Sequence, residues 1–192
     1  MPPKIKITKK DIISTALRLI RKNGVDSLNA RNVADALGCS TQPVFSNFTG
    51  MDELRAAVTE AAYNEYLSYL KREAESGEYP EYKSHGMAYI RFAKEESELF
   101  KLLFMIDRTG EDTSPSSDFE NSVQLIMKNT GLTHERASLM HLEIWSCVHG
   151  IGVMLATSFL SLERELISDM LTDVYQGIKA RHLSEENKNA CN

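Results

Sequence analysis

Residues 29–54, NARNVADALGCSTQPVFSNFTGMDEL, constrain the fold most because they read as two short helices joined by a tight turn. Asn29 is a suitable N-cap for the first helix, and Gly38 supplies the left-handed residue that ends it. Ser40 is predicted to cap the second helix. Two short helices with a glycine in the turn between them are what a helix-turn-helix unit requires.

The second short helix has a face that predicts DNA reading. Val44, Phe45 and Phe48 are expected to point inward at helical spacing. The outer face then carries short polar side chains without charge: Thr41, Gln42, Ser46 and Asn47. Such groups suit hydrogen bonds to base edges in a major groove better than they suit phosphate binding. The alternative is a solvated surface helix in some other all-helical protein.

Charge is divided unevenly along the chain. Residues 1–50 carry eight basic and three acidic side chains, which is a net charge of +5. Of the 22 basic and 27 acidic residues in the whole chain, 14 and 24 remain, which is −10 for the rest. A basic N-terminal part on an acidic body fits a modular DNA-binding protein, because affinity for phosphate needs only a local positive potential. The candidate phosphate contacts are Lys4, Lys6, Lys9, Lys10 and Arg31.

The whole chain predicts an all-α fold of about nine helices. Proline and glycine are few, and no strand-like alternation appears between turn signals. A first helix begins after Thr8, with Asp11 completing a capping box, and ends at Asn23-Gly24. A long fourth helix from about residue 51 to Gly77 is expected to join two domains, since it exceeds what a helix-turn-helix needs. We therefore predict a DNA-binding domain at 1–50, a ligand-binding and dimerisation domain at 51–183, and a polar, disordered tail at 184–192.

The location of the protein is also constrained by its sequence. Three cysteines without C-x-x-C spacing predict reduced thiols in a cytoplasmic protein. No run approaches the roughly 20 apolar residues of a membrane span. The N-terminal lysines are not followed by an apolar segment, so a secretory signal is not expected.

These motifs resemble the tetracycline-repressor-like (TetR) family of bacterial transcription regulators. The strongest resemblance is in the N-terminal pattern of Asn23-Gly24, Asn29-Ala-Arg-Asn-Val-Ala, Leu37-Gly38, Val44-Phe45 and Asp52-Glu53-Leu54. More weakly, Trp145, His149 and Gly150 are similar to a subgroup marked by Trp, His and Gly on its eighth helix. The resemblance implies a homodimeric DNA-binding repressor with a small-molecule pocket in the C-terminal domain. We predict that it binds a palindromic DNA operator and uses no cofactor.

The chain departs from the family pattern at two DNA-contacting positions. Phe45 stands where a tyrosine commonly donates its hydroxyl to phosphate, and Met51 stands where a lysine commonly begins the fourth helix. Pro43 and Phe45 are nevertheless included among the candidate DNA-binding residues of this helix. Pro43 is tolerated in the first turn of the reading helix, because its missing N–H would have no partner there. Gln42 and Asn47 are the best candidates for base contacts, since a carboxamide can bond adenine at two positions.

The C-terminal domain contains the candidate effector and dimerisation residues. Apolar rings with a few polar tips predict a pocket for a mostly apolar ligand, lined by Tyr63, Tyr66, Tyr89, Phe92, Phe104, Trp145, His149 and Met154. The resemblance implies a dimer interface on the last two helices, with candidates Gly150, Gly152, Ile167, Leu171, Val174 and Ile178. The alternative is a C-terminal domain that dimerises around a filled core and binds no small molecule.

A metal-binding or catalytic role is a further alternative for the eighth helix. His141, Glu143, Cys147 and His149 are the residue types that such a site uses. However, no H-E-x-x-H or C-x-x-C spacing supports it, and neither a glycine-rich phosphate loop nor a serine nucleophile elbow is present. We therefore predict no metal and no enzyme activity.

Overall fold

The computed structural model describes residues 7–107, 109–110 and 117–190. Lys4 and Lys6 lie outside the described residues. Over the described part, the chain forms one short 3-10 helix, Val25–Ser27, no strand, and nine α-helices: α1 (Lys9–Asn23), α2 (Ala30–Leu37), α3 (Gln42–Asn47), α4 (Met51–Ser76), α5 (Glu81–Glu95), α6 (Ser97–Phe104), α7 (Ser117–Thr130), α8 (His134–Ala156) and α9 (Arg164–Ala190). The all-α prediction is confirmed.

The helices divide between two compact units. Unit 1 comprises Met1–Ser68 and Glu95–Asp107, and unit 2 comprises Tyr69–Lys94 and Arg108–Asn192. Helix α4 contributes residues to both. Unit 1 therefore takes in the first part of α4 and all of α6, beyond the predicted boundary at residue 50.

Local hydrogen bonds explain where the first helices of unit 1 begin and end. The Thr8 hydroxyl accepts a hydrogen bond from the Asp11 N–H, and the Asp11 carboxylate accepts one from the Thr8 N–H, which is the predicted capping box. The Asn29 side chain accepts from the Asn32 N–H, and Gly38 is left-handed with φ of 67°. The predicted cap at the start of α3 is wrong, because the N-cap position is Thr41, whose side chain makes no capping bond.

The buried side of α4 changes along its length. Leu54, Val58 and Ala62 are fully buried, as their spacing of four predicts. Further along, the buried residues are Tyr69 and Glu73 rather than the predicted Tyr66 and Leu70. A step of four residues turns a helix by about 40° more than one revolution, so a stripe of that spacing rotates away from a straight core.

Close packing and ion pairs hold the helices of unit 2 together. A Cβ atom added at Gly86 on α5 would lie 3.3 Å from Leu171 Cδ1 and 3.4 Å from Val148 Cγ2, so these helices approach closely. Near the end of α9, Glu185 pairs with Arg136 of α8. Helix α9 continues to Ala190, past the predicted start of a disordered tail at 184. Its ion pair with α8 is a physical reason for this extension.

Helix α8 is more apolar than we expected from the sequence. It is the one helix in the described ranges that is long and apolar enough, by length and composition alone, to cross a membrane. In the structure 44% of its most apolar window is buried inside the fold. Core helices pass the same composition test, because both environments select apolar side chains.

Candidate functional site

The outer face of α3 is the candidate DNA-binding surface. Thr41, Gln42 and Ser46 are exposed, as predicted, and none of them carries a charge. Phe45 is also exposed, with 51% of its surface accessible, whereas Val44 is buried. The prediction that Phe45 points inward is therefore wrong. A helix of six residues has one narrow buried stripe, and Val44 and the following Phe48 already fill it.

Hydrogen bonds within unit 1 decide which polar groups on α3 remain available. The Ser46 hydroxyl donates to the Gln42 carbonyl at 2.8 Å. Asn47 Nδ2 donates to the carbonyl oxygens of Pro43, at 2.8 Å, and Ile7, at 3.4 Å. The side chain of Gln42 makes no hydrogen bond to another described residue. Of the two side-chain amides predicted to contact bases, Gln42 is therefore the one whose amide nitrogen and oxygen are both available.

The basic residues near this surface differ in whether they already form an ion pair within the protein. Lys9 Nζ forms an ion pair with Glu53 Oε1 at 2.9 Å and lies 4.9 Å from the centre of the Phe48 ring. Hydrogen bonds from the Thr49 N–H, Lys9 and the Thr49 hydroxyl lower the pKa of Glu53 to about 2, so this carboxylate stays charged. Arg31 is exposed on α2 and has no ion-pair partner among the described residues. It is the better candidate for a phosphate contact.

Three of the predicted ligand-binding residues lie together in unit 1. The ring centres of Tyr63 and Tyr66 are 5.9 Å apart, and the Tyr66 ring meets Phe104 edge-on at 5.3 Å. Phe104 in turn lies 5.3 Å from the buried Phe100. These distances and tilted geometries are those that aromatic side chains prefer.

The other five predicted ligand residues lie in unit 2. Tyr89 Oη is 2.8 Å from His149 Nδ1, and the Trp145 ring stacks on His149 with ring centres 5.0 Å apart. Burial lowers the pKa of His149, so the imidazole is held in its neutral form. Phe92 is fully buried against Tyr69, and Met154 is partly exposed. Trp145 is 42% exposed, so one side of this polar and aromatic cluster is accessible.

A second tyrosine–histidine pair connects α5 and α8 two helical turns away. Tyr82 Oη is 2.8 Å from His141 Nδ1, and the Phe119 ring lies edge-on to the imidazole with centres 4.8 Å apart. Burial, and to a smaller extent the charge of His85, lowers the pKa of His141 to about 4. Burial also raises the pKa of Tyr82, so this pair is uncharged at neutral pH.

Unit 2 should lose stability in mild acid because of His141. Unfolding restores the ordinary histidine pKa of 6.5, so the stabilisation is complete above pH 6.5 and falls as the pH drops toward 4. We expect a loss of about 2 kcal/mol in the free energy of unfolding between pH 7 and pH 5. Urea titrations of wild type and His141→Asn at both pH values measure this effect. Between pH 7 and pH 5, the free energy of unfolding of the variant should fall by about 2 kcal/mol less than that of the wild type. An unchanged pH dependence in the variant would contradict the assignment.

The residues of the metal or catalytic alternative are held apart by separate partners. Glu143 forms an ion pair with Arg181, and its Oε2 lies 3.0 Å from Nε2 of the fully buried His182. His141 and His149 bond to the two tyrosines described above. Burial raises the pKa of the Cys147 thiol, which disfavours the thiolate. Within the ranges that the structure describes, no three His, Cys, Asp or Glu side chains are grouped to hold a metal ion.

The predicted dimerisation residues lie partly inside unit 2. Ile167, Leu171 and Gly152 are buried in the fold of the single chain, whereas Val174 and Ile178 are partly exposed. The apolar residues at helical spacing on α9 therefore mark the face of this helix that packs against other helices of the same chain. The exposed large apolar side chains on these helices are instead Leu139, Leu142 and Trp145 of α8 and Leu166 of α9. Gly150 lies partly exposed, and a Cβ atom added there would meet no atom of another part of the chain within 4 Å.

The sequence did not reveal a buried charged cluster centred on Glu73. This carboxylate is only 2% exposed, and Arg164 NH2 bonds its Oε1 at 2.5 Å. Arg164 also bonds Glu78 at 2.7 Å, and Arg91 lies 3.8 Å from the second oxygen of Glu73. The cluster thus joins the end of α4 to α5 and to the first residue of α9. The sequence carried no local signal of this cluster, because Glu73 and Arg164 are 91 residues apart along the chain.

Comparisons with known proteins agree with this arrangement. Residues 12–58 match the family model described as bacterial regulatory proteins, tetR family. A Mycobacterium tuberculosis protein described as an uncharacterized HTH-type transcriptional regulator is 22% identical in an alignment 183 residues long that covers 92% of this chain and 84% of that protein.

Solved structures extend the likeness to the whole fold. A TetR-like transcriptional regulator from Rhodococcus sp. RHA1 has a TM-score of 0.69 at 14% identity, over 92% of this chain and 96% of that one. A protein of unknown function from the same organism has a TM-score of 0.68 at 20% identity, over 92% and 98%. The chain therefore has a TetR-like fold, and its N-terminal part matches the TetR helix-turn-helix domain.

Proposed function

We propose that the chain is a transcription regulator, most simply a repressor, that inserts α3 into the major groove of a palindromic operator. The observation that carries this proposal is the exposed, uncharged outer face of α3 in a helix-turn-helix unit. The match of residues 12–58 to the TetR family model supports it. In this proposal the groups on α3 read base edges, and cations outside α3 bind phosphate.

Gln42 and Arg31 have distinct roles in this proposal. The Gln42 carboxamide bonds the N6 and N7 positions of an adenine, which distinguishes that base pair from the others. Arg31 binds phosphate, which contributes affinity without sequence preference. Lys4, Lys6 and Lys10 add to the same positive potential. Asn47 remains a weaker candidate, because its amide nitrogen is already bonded to backbone oxygens.

Replacing Gln42 with alanine should relax sequence preference, at a cost of about 1–3 kcal/mol on the operator. Arg31→Ala should weaken binding to all duplexes alike. Gel-shift titrations on a selected operator and a scrambled duplex separate the two effects. Gln124→Ala, which changes an exposed glutamine on α7, is the matched control and should leave both affinities unchanged. Equal losses on both duplexes for Gln42→Ala would refute its assignment to a base.

The proposed regulator is a homodimer. A palindrome presents two half-sites about 34–36 Å apart, and each chain carries one α3, so two copies are needed. Leu139 and Leu142 lie three residues apart on α8 and are each about half exposed, which supports an interface on this face of α8. Apolar side chains concentrated on one surface commonly mark an interface.

Effector control is the remaining part of the proposal. Trp145, His149 and Tyr89 provide an accessible ring, a neutral imidazole and a phenol, which suit a mostly apolar molecule with one or two hydrogen-bonding groups. Helix α4 contributes residues to both units. A ligand that displaces the C-terminal end of α4, in unit 2, would therefore alter unit 1, which contains α3. By linkage, DNA and effector should weaken each other by the same factor, typically about 5–150-fold. If compounds that raise the melting temperature leave operator affinity unchanged, the chain is a regulator without such an effector.

The location of the proposed regulator follows from its target. Bacterial DNA lies in the cytoplasm, and reduced cysteines suit that compartment. The resemblance of α8 to the Trp-His-Gly subgroup stays a prediction.

A further inference from the structure

Phe45 is an apolar side chain placed where the proposed base-reading surface is otherwise polar. Its ring is 51% exposed, although the preceding Val44 and the nearby Phe48 are buried. A half-exposed phenyl ring contributes less to the stability of the free protein than a buried one, because about half of its surface remains in water. The ring has no hydrogen-bond donor, so it cannot bind phosphate as a tyrosine would.

The ring lies next to the most available polar group on α3. Gln42 and Phe45 are three residues apart, and side chains at this spacing are neighbours on a helix surface. The Ser46 hydroxyl and the Asn47 amide nitrogen are already bonded to backbone carbonyls. A carboxamide and a phenyl ring are therefore the adjacent groups that this face offers to a partner.

In a major groove, the chemistry of a phenyl ring selects one base. Thymine alone presents a methyl group there, and apolar contact with that methyl is how a side chain without hydrogen-bonding groups distinguishes a base. The other groove edges are donors and acceptors, which a phenyl ring would desolvate without replacing their hydrogen bonds.

We propose that Phe45 is a specificity-determining residue that packs against the C5 methyl of a thymine, beside the base pair read by Gln42. This inference rests on the proposed function, because it requires α3 to enter the major groove. Each operator half-site then contains a thymine within one or two base pairs of an adenine.

The test removes the methyl group and nothing else. Each thymine of a selected operator is replaced in turn by deoxyuridine, which keeps the base pairing and the O4 acceptor. Wild-type protein should lose affinity by about fourfold at one thymine in each half-site, the effect of burying one methyl group. Phe45→Ala should bind the thymine operator more weakly by at least this factor, and should bind both versions equally.

Two further variants make the test specific. Phe45→Tyr keeps the ring and should keep the sensitivity to deoxyuridine. Gln42→Ala should lose preference at the adenine and still respond to the methyl group. Circular dichroism spectra should be the same for wild type and Phe45→Ala, since the half-exposed ring lies outside the core.

Two negative outcomes distinguish an error in the thymine contact from an error in the proposed function. If the operator is bound selectively but no thymine is sensitive, or if Phe45→Ala retains full sensitivity, the methyl contact is wrong and the proposed function stands. If wild-type protein binds no duplex selectively, the proposed function fails and the thymine contact fails with it.

Discussion

Replacing Arg164 with leucine is expected to lower the free energy of unfolding by about 3–5 kcal/mol. The reason is that Glu73 is only 2% exposed and takes its closest hydrogen bond, at 2.5 Å, from Arg164. Without the guanidinium, the buried carboxylate loses its closest donor, and among the described residues its remaining cationic neighbour is Arg91 at 3.8 Å. Urea denaturation followed by circular dichroism measures the change.

Two companion variants distinguish a buried ion pair from a general effect of changing this helix. The double variant Glu73→Leu with Arg164→Leu should recover most of the loss, because an apolar pair needs no desolvated charge. Glu75→Ala breaks the exposed pair with Lys71 on α4 and should cost no more than about 0.5 kcal/mol. A loss below about 1 kcal/mol for Arg164→Leu, or no recovery in the double variant, would contradict the account of this cluster.

If the proposed dimer forms, replacing Leu142 with glutamate is expected to convert it into monomers and to weaken operator binding by about 100-fold or more. Leu142 lies half exposed on α8, so the change leaves the fold of one chain intact but places a charge on the proposed interface. A single α3 then reads only one half-site, and the gain from binding two linked half-sites disappears. Sedimentation velocity and gel-shift titration measure the two effects.

Matched controls separate assembly from folding. Leu67→Glu makes the same change at an exposed leucine on α4 in unit 1, and should leave the dimer intact. Leu171→Glu would bury a carboxylate inside unit 2, so it should unfold the chain rather than release folded monomers. A Leu142→Glu protein that still sediments as a dimer would exclude this surface as the interface.

The features that sequence predicted well are those determined by neighbours within a few residues. The capping box at Thr8, the cap at Asn29 and the left-handed Gly38 were all predictable, because their partners lie within one helical turn. The helix-turn-helix follows directly from them. The buried residues Leu54 and Val58 were also predictable, since a short apolar stripe marks the core side of a helix.

The features that could not be predicted from the sequence depend on which residues are buried by a distant part of the chain. Phe45 was assigned to the core because it is apolar, but Val44 and Phe48 already occupy the buried side of α3. Ile167 and Leu171 were assigned to a dimer interface, but the chain itself buries them. Glu73 gave no signal of its burial, because its partner Arg164 is 91 residues away in sequence. Tertiary packing determines whether such residues are buried, and the spacing of apolar residues along the sequence does not show that packing.

The central claim is that α3 reads a specific sequence as one half of a symmetric pair. Repeated selection of duplexes from a random pool by the purified protein tests this most directly. The account predicts enrichment of an inverted repeat whose half-sites are about 34–36 Å apart between centres, and loss of the enriched base preference in Gln42→Ala. A pool that remains random, or a single unrepeated motif that Gln42→Ala selects equally well, would contradict it.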